Sequence, residues 1–307
     1  MLSRKQKLVL IKLFSLFSVV RGYNILIIIL AQYLSSIYIL AKEAPLKNVL
    51  LDPNLFVLVL ATSLVIAGGY IINNFYDSEK DLINRPNKSK LDRLVSQNTK
   101  LSVYFILNFL AVILASYVSF KAVLFFSSYI FMIWFYSHKL KKHPFIGNLI
   151  ASSLAIAPFF IVFVYYKNLD SVIFFHAFFL ILLISMREIT KDLENIKGDL
   201  TLNYKTIPVY YGVKTSKLLL TILLVLTLIV SYVLATYFEM GAMNYYFYFA
   251  ISILLIYAFG LLYANKKKHF VLLHVILKFV IVIGVFSIVL INPDLLLEKL
   301  HKVKDLF

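Results

Sequence analysis

Residues 55–86 read LFVLVLATSLVIAGGYIINNFYDSEKDLINRP, a long apolar run followed by an acidic stripe and then Arg85-Pro86. An apolar stretch close to 20 residues is long enough to cross a bilayer as a helix. An ionisable residue beside such a stretch is costly unless it has a partner or a task. Asn73, Asp77 and Asp81 fall at i, i+4 and i+8, which predicts one helical face. Proline disfavours helix at the residue before it, so the helical pattern stops at Arg85, whose planar fork suits phosphate oxygens. Gly68-Gly69, just before the stripe, allows a neighbouring helix or a ligand to come close.

The pattern of span and stripe recurs. The chain has 307 residues, 61% of them hydrophobic, and a mean hydropathy of +0.87, far above a soluble domain. Nine apolar runs stand out, at about 24–41, 55–74, 101–119, 122–137, 146–166, 171–187, 216–238, 244–264 and 270–292. This predicts an all-α polytopic membrane protein, with the third and fourth spans separated near Lys121. The second and sixth spans are expected to project as helix beyond the bilayer. After the sixth comes the second stripe, Arg187-Glu188-Ile189-Thr190-Lys191-Asp192-Leu193-Glu194-Asn195-Ile196-Lys197-Gly198-Asp199. Its Asp192, Asn195 and Asp199 sit at i, i+3 and i+7, again one face.

Charge distribution sets the orientation. With the N-terminus cytoplasmic, segments 1–21, 75–100, 138–144, 187–217 and 266–268 hold 23 of the 31 Lys and Arg. The opposite segments hold seven, including Lys299, Lys302 and Lys304 in the tail, and Lys278 lies within the last span. This positive-inside bias accounts for the net charge of +16 through topology and attraction to anionic lipid, and argues against a nucleic-acid partner. An even number of spans separates the stripes, so both emerge on the cytoplasmic face. The absence of cysteine excludes disulfides and thiolate metal sites. The basic start and long first apolar run predict a retained span, and Lys5 to Val20 reads as an interfacial amphipathic helix.

Hard oxygen ligands suit Mg²⁺, which binds carboxylates together with substrate phosphates. Two such stripes facing each other predict a site that holds a diphosphate through metal ions. Other polar residues at membrane depth are His176, and His274 with Lys278 at i, i+4. Either a satisfied interhelical hydrogen bond or a place on the cavity wall accounts for them.

Asn73-x-x-x-Asp77-x-x-x-Asp81 followed by Arg85-Pro86 resembles the first signature of the UbiA family of intramembrane prenyltransferases. The second stripe, with Lys205-Thr206-Ile207-Pro208 downstream, resembles that family's second aspartate motif. Tyr136-Ser137, Leu140-Lys141 and Gly147-Asn148 resemble the segment between its fourth and fifth spans. Arg21-x-x-Asn24 is similar to the entry to its first span, with Gly22 in place of proline. The resemblance covers most of the chain and implies one domain over 1–307, about nine helices around a central cavity, in the cell inner or plasma membrane. It implies a Mg²⁺-dependent transfer of a prenyl group from a prenyl diphosphate to a lipid-soluble acceptor. The second stripe is most similar to the archaeal-type branch, which geranylgeranylates geranylgeranylglyceryl phosphate; an aromatic acceptor is the alternative.

By that resemblance Asp77, Asp81, Asp192 and Asp199 are catalytic and, with Asn73, hold metal. Asn24, Asn73, Arg85, Tyr136, Lys141, Arg187, Lys191, Asn195 and Lys205 bind substrate. Asn195 stands where the family usually carries Asp; its amide oxygen still ligates but brings no charge, so Asp192 or Glu194 stands to compensate. A transporter is the competing class, but transporter sites usually lie near the bilayer midplane, whereas these carboxylates cluster at one face.

Overall fold

The computed structural model describes residues 3–294; the tail lysines Lys299, Lys302 and Lys304 lie outside them. The described residues form helices and no strand. Helix α1 is Arg4–Val19, started by a capping box in which Ser3 and Gln6 exchange hydrogen bonds of 2.8 and 3.2 Å. Its Leu10, Leu13, Phe14 and Phe17 are exposed, while Ser15 is buried and donates to the Leu91 carbonyl at 2.7 Å. An exposed apolar face on a basic helix is the arrangement of an interfacial element. A left-handed Arg21 (φ 51°) turns the chain into α2, Gly22–Ser35, which continues as a π turn over Ser36–Leu40. The Phe17 ring lies where a Cβ on residue 22 would sit, a physical reason for glycine there.

Helix α3 is Leu46–Leu50, and α4 is Pro53–Tyr76, capped by Asp52, which accepts from the Asn54 and Leu55 amides. Two short helices follow, α5 Ser78–Asn84 and α6 Pro86–Asp92, and then α7 Gln97–Val118, α8 Phe120–His138 and α9 Ile146–Tyr166. Helix α10 is Ser171–Thr201, α11 Ile207–Tyr210, α12 Gly212–Thr236, α13 Asn244–Tyr263 and α14 Lys267–Ser287. Nine helices among the described residues are long and apolar enough to span a membrane, at the nine places the hydropathy runs predict. The break between the third and fourth falls at Ser119, two residues before Lys121. Ser119 is extended and its hydroxyl caps α8 by accepting from the Ala122 amide at 3.1 Å.

Between helices in lipid, close packing and hydrogen bonds replace the hydrophobic driving force. Helix α7 buries Ala111 and Ala115 completely in the core with Ala61 of α4. A Cβ at Gly68 would lie 3.1 Å from Asn108, and one at Gly69 3.1 Å from Ile133, so both glycines serve helix approach. Pro158 inside α9 has no N–H to give the Leu154 carbonyl, which instead accepts from the Tyr129 hydroxyl at 2.9 Å. The buried Gln32 side chain donates to the Pro158 carbonyl at 2.7 Å and to Thr62 at 3.4 Å, joining α2, α9 and α4.

A second polar knot ties the base of the first stripe. Lys100, 1% exposed, donates to Asn74 Oδ1 at 2.9 Å, and Asn74 Nδ2 donates to Asp92 at 3.0 Å. Ser18 of α1 reaches the same Asp92 at 3.3 Å. Removing one member leaves a buried charge without its partner, which costs about 1–3 kcal/mol or more. Asn74→Leu is therefore expected to lower the thermal unfolding midpoint of the detergent-solubilised protein clearly. A midpoint equal to wild type would show that the knot is not a stabilising element.

Candidate active site

The first stripe does not continue straight. Helix α4 ends at Tyr76, Asp77 (φ −92°, ψ 4°) forms a bend, and α5 starts at Ser78. Helix-type hydrogen bonds nevertheless bridge the bend, Asp77 N to Asn73 O at 2.9 Å and Asp81 N to Asp77 O at 2.8 Å. The expected ladder of Asn73, Asp77 and Asp81 is thus kept while the chain turns. Asp77 becomes buried and Asp81 half-buried. Arg85 ends α5, as its proline requires. The second stripe rides on α10 without interruption to Thr201, beyond the length of the apolar run.

Docking of the two stripes rests on Asn84 and Gly198. The Gly198 amide donates to Asn84 Oδ1 at 3.2 Å, and Asn84 Nδ2 donates to the Asn195 carbonyl at 3.4 Å. A Cβ at residue 198 would run into the Asn84 side chain, so only glycine admits this seating. Lys267, at the start of α14, donates to the Asn84 carbonyl at 3.0 Å and braces the same point.

Lysines lie between the acidic groups. Lys80 pairs with Asp199 at 2.5 Å, and Lys141 pairs with Asp77 at 2.7 Å while also reaching Asn73 at 3.3 Å. Burial opposes ionisation of Asp77, but Lys141 and Lys80 outweigh it and hold its carboxyl below the usual carboxylate range. Burial works against the charge on Lys80 as well; Asp77 and Asp199 overcome it and raise its pKa. Asp81 goes the other way, pushed up by burial and by the neighbouring Asp77. Tyr204 accepts Lys80 over its ring at 4.7 Å and Lys142 at 5.3 Å, a cation–π platform under the site.

The remaining residues fall into place around this centre. Asp192 accepts from Asn148 at 2.8 Å, so the Gly147-Asn148 segment reaches the second stripe. Thr206 donates to Asp199 at 3.2 Å, and the Tyr204 amide to the Asp199 carbonyl at 2.8 Å. Tyr136 lies within electrostatic reach of Glu188, Asp192 and Asp77. Arg187 (3.1 Å) and Lys191 (2.7 Å) both pair with Glu188, and Arg85 pairs with Glu194 at 2.9 Å. Lys205 is exposed; its backbone N–H donates to the Lys142 carbonyl at 2.9 Å, and its ammonium has no acidic partner among the described residues. Asn24 donates to the Tyr70 hydroxyl at 3.1 Å, one turn of α4 before Asn73. Lys80, Asn84, Glu188 and His274 complete the site although the aspartate spacing alone does not select them. Lys80 and Glu188 lie inside the quoted stripes and His274 stands out as a polar residue at membrane depth beside Lys278, whereas Asn84 carries no local signal.

Among the described residues no three His, Asp or Glu side chains are drawn together closely enough to hold an ion as they stand. The donor set nevertheless fits a hard cation. Among the described residues no side chain makes an ion pair or hydrogen bond with the Asp81 carboxylate. Asn195, 5% exposed, donates its amide to the Lys191 carbonyl at 2.8 Å, leaving Oδ1 buried with no partner among the described residues. An orphaned buried oxygen is a costly feature that a ligand resolves. Glu194 has both oxygens occupied, by Arg85 and by His274, whereas Asp192 has one oxygen on Asn148.

On the opposite side from the stripes, the bundle encloses an apolar cavity of ≈ 160 Å³ lined by α2, α9, α10, α13 and α14. Phe159, Phe163, Phe179 and Phe247 form much of its wall. His176 lines it too, with Nδ1 on the Val172 carbonyl and Nε2 buried without a partner among the described residues.

A helical bundle with two docked oxygen-rich stripes at one end and an apolar cavity toward the other is the framework of an intramembrane transferase of lipid diphosphates. The chain belongs to the UbiA prenyltransferase family, whose sequence pattern it matches over residues 25–291. It is similar to the digeranylgeranylglyceryl phosphate synthase of Thermococcus sibiricus, 33% identical over 69% of this chain and 74% of that one. The enzyme of the same name from Methanobrevibacter smithii is 28% identical over 88% of this chain and 97% of its own. The fold is shared with a solved digeranylgeranylglyceryl phosphate synthase structure, with TM-score 0.67 and 24% identity over 91% and 98% of the two chains. It is shared also with a UbiA homolog from Archaeoglobus fulgidus bound to GPP and Mg²⁺, with TM-score 0.65 and 16% identity over 90% and 99%.

The docking of the stripes yields a test. Gly198→Ala overpacks the Asn84 contact, for which about 1–3 kcal/mol is typical. The variant is expected to unfold at lower temperature in detergent and to lose prenyl transfer. Retention of both would show that the stripes are held together by other contacts.

Proposed function

We propose that this protein transfers a geranylgeranyl group from its diphosphate to the glycerol hydroxyl of geranylgeranylglyceryl phosphate, through one domain spanning the chain. The site opens on the cytoplasmic face of the cell membrane, the side on which Lys and Arg accumulate. The observation that carries the reading is the seating of one acidic stripe on the other by Asn84 and Gly198, at the end of the bundle where the lysines converge. The names of the relatives favour this acceptor, and the Archaeoglobus fulgidus homolog was solved with GPP and with DMAPP alongside Mg²⁺.

Asp77, Asp81, Asp192, Asp199 and the orphaned oxygen of Asn195 would hold the metal, with Asn73 beside Asp77. When bound, Mg²⁺ supplies charge neutralisation of the diphosphate leaving group. Lys80, Lys141 and Lys205 are placed to give charge-assisted hydrogen bonds to diphosphate oxygens, the first two by leaving carboxylates that they now neutralise. Arg85, Arg187 and Lys191 are spoken for by Glu194 and Glu188, so they orient the acidic stripe before they meet substrate. The largely apolar cavity is suited to the far end of the prenyl chain. The Tyr136 ring, facing acids of both stripes, is suited to stabilise positive charge developing there.

Three measurements test this. Asp77→Ala and Asp199→Ala are each expected to abolish transfer while the protein still inserts in the membrane; near-full activity in either would overturn the two-stripe site. Asn195→Asp adds the missing charge and is expected to lower the Mg²⁺ concentration for half-maximal rate, whereas an unchanged Mg²⁺ dependence would remove Asn195 from the ligand set. Purified protein given geranylgeranyl diphosphate, Mg²⁺ and either acceptor is expected to modify geranylgeranylglyceryl phosphate. Product on an aromatic ring alone would reject that acceptor.

A further inference from the structure

Glu194 and His274 form a pair that the diphosphate chemistry does not use. Glu194 Oε1 accepts from Arg85 at 2.9 Å, and Oε2 meets His274 Nδ1 at 3.0 Å. Both side chains are largely buried, 7% and 18% exposed. With Nδ1 held by a carboxylate, the neutral ring carries its proton there and keeps a lone pair on Nε2. No hydrogen bond to Nε2 occurs among the described residues. A carboxylate fixed by a guanidinium and fixing an imidazole in turn is how a protein orients a proton acceptor.

The same face of α14 continues one turn on with Lys278. Its ammonium lies 4.7 Å from the Tyr23 ring centre and pairs with no acid among the described residues. A turn further, Ile281 and then Val285 belong to the wall of the apolar cavity. From the stripe end inward this face therefore presents an oriented imidazole, an uncompensated cation and an apolar wall. The prenyl diphosphate has its own cations on α5, in the turn Leu140–Lys142 that follows α8 and in the Tyr204–Thr206 turn. A hydroxyl, a phosphate and a lipid chain in one molecule would use all three features of α14.

We propose that His274 is the general base for the hydroxyl acceptor, with Glu194 as its positioning residue and Lys278 as the partner of the acceptor's phosphate. The assignment rests on prenyl transfer to oxygen as read above. In the step, the acceptor O–H gives its proton to His274 Nε2 and the oxygen electron pair forms the bond to C1 of the prenyl diphosphate. The C1–O bond breaks, and its electron pair leaves with the diphosphate. Glu194 stabilises the imidazolium until the proton passes to water.

The test uses the full-length protein in detergent with Mg²⁺, geranylgeranyl diphosphate and geranylgeranylglyceryl phosphate. His274→Gln is expected to slow transfer by about 100- to 10 000-fold, the range of general-base catalysis, while geranylgeranyl diphosphate still binds. Added imidazole is expected to restore part of the rate to His274→Ala, which a merely structural histidine would not allow. Lys278→Met is expected to raise KM for the acceptor more than it lowers kcat. Undiminished transfer by His274→Gln overturns the assignment, as does loss of donor binding together with transfer, or failure of imidazole to rescue. Wild-type protein that prenylates only an aromatic carbon overturns the acceptor reading itself, and leaves the base no proton to take. That outcome is separate from hydroxyl transfer that survives His274→Gln, which sinks the base alone.

Discussion

Bringing two rows of carboxylates together at the edge of a low-dielectric bundle is the constraint on which the rest of this structure depends. Like charges at such distances repel, and each loses hydration on burial. Six acids, Asp77, Asp81, Glu188, Asp192, Glu194 and Asp199, meet five basic side chains, Lys80, Arg85, Lys141, Arg187 and Lys191. The near balance is what lets α5 and α10 close on each other. Asn84 on the Gly198 backbone sets the distance at which they do so, because its short side-chain amide bonds directly to the main chain of α10 with no Cβ between them.

The same balance connects stability to chemistry. Lysines that neutralise the stripes in the protein alone are the groups best placed to turn to a diphosphate, since the Lys80 and Lys141 ammonium groups already sit between the two rows. Groups locked in pairs of their own, Arg85 on Glu194 and Arg187 with Lys191 on Glu188, hold the row of α10 in shape. The polar knot of Lys100, Asn74 and Asp92 does for the base of the first stripe what these pairs do for the second. Away from the stripes the bundle is apolar, held by small residues such as Ala111 and Ala115 and by hydrogen bonds to carbonyls that Pro158 and the helix ends leave free.

Much of this was legible in the chain. Runs of apolar residues near the thickness of a bilayer located nine spans to within a few residues, and the two stripes announced themselves by spacing. Legibility failed where the deciding partner is distant. The bend at Asp77 is invisible in the i, i+4, i+8 ladder because helical hydrogen bonding passes through it. Arg85, read as a phosphate fork, faces a carboxylate 109 positions away. Asn84 looks ordinary at the end of a short polar helix, and His274, marked only as a polar residue at membrane depth beside Lys278, gives no sign that its partner is Glu194.

Local pattern by itself determined that the chain spans a membrane, how many times, and that two oxygen-rich stripes lie at the ends of its second and sixth spans. Those properties depend on transfer of side chains from water to lipid and on helical periodicity, both of which act over a few neighbouring residues. Only the tertiary structure decided which carboxylates are neutralised and by whom. It also decided that Asn195 presents an orphaned oxygen, and that Glu194 holds a histidine from the last span rather than joining the aspartates. Those outcomes depend on distances of a few ångströms between helices far apart in sequence, where electrostatic and hydrogen-bond energies vary steeply and residue spacing carries no information.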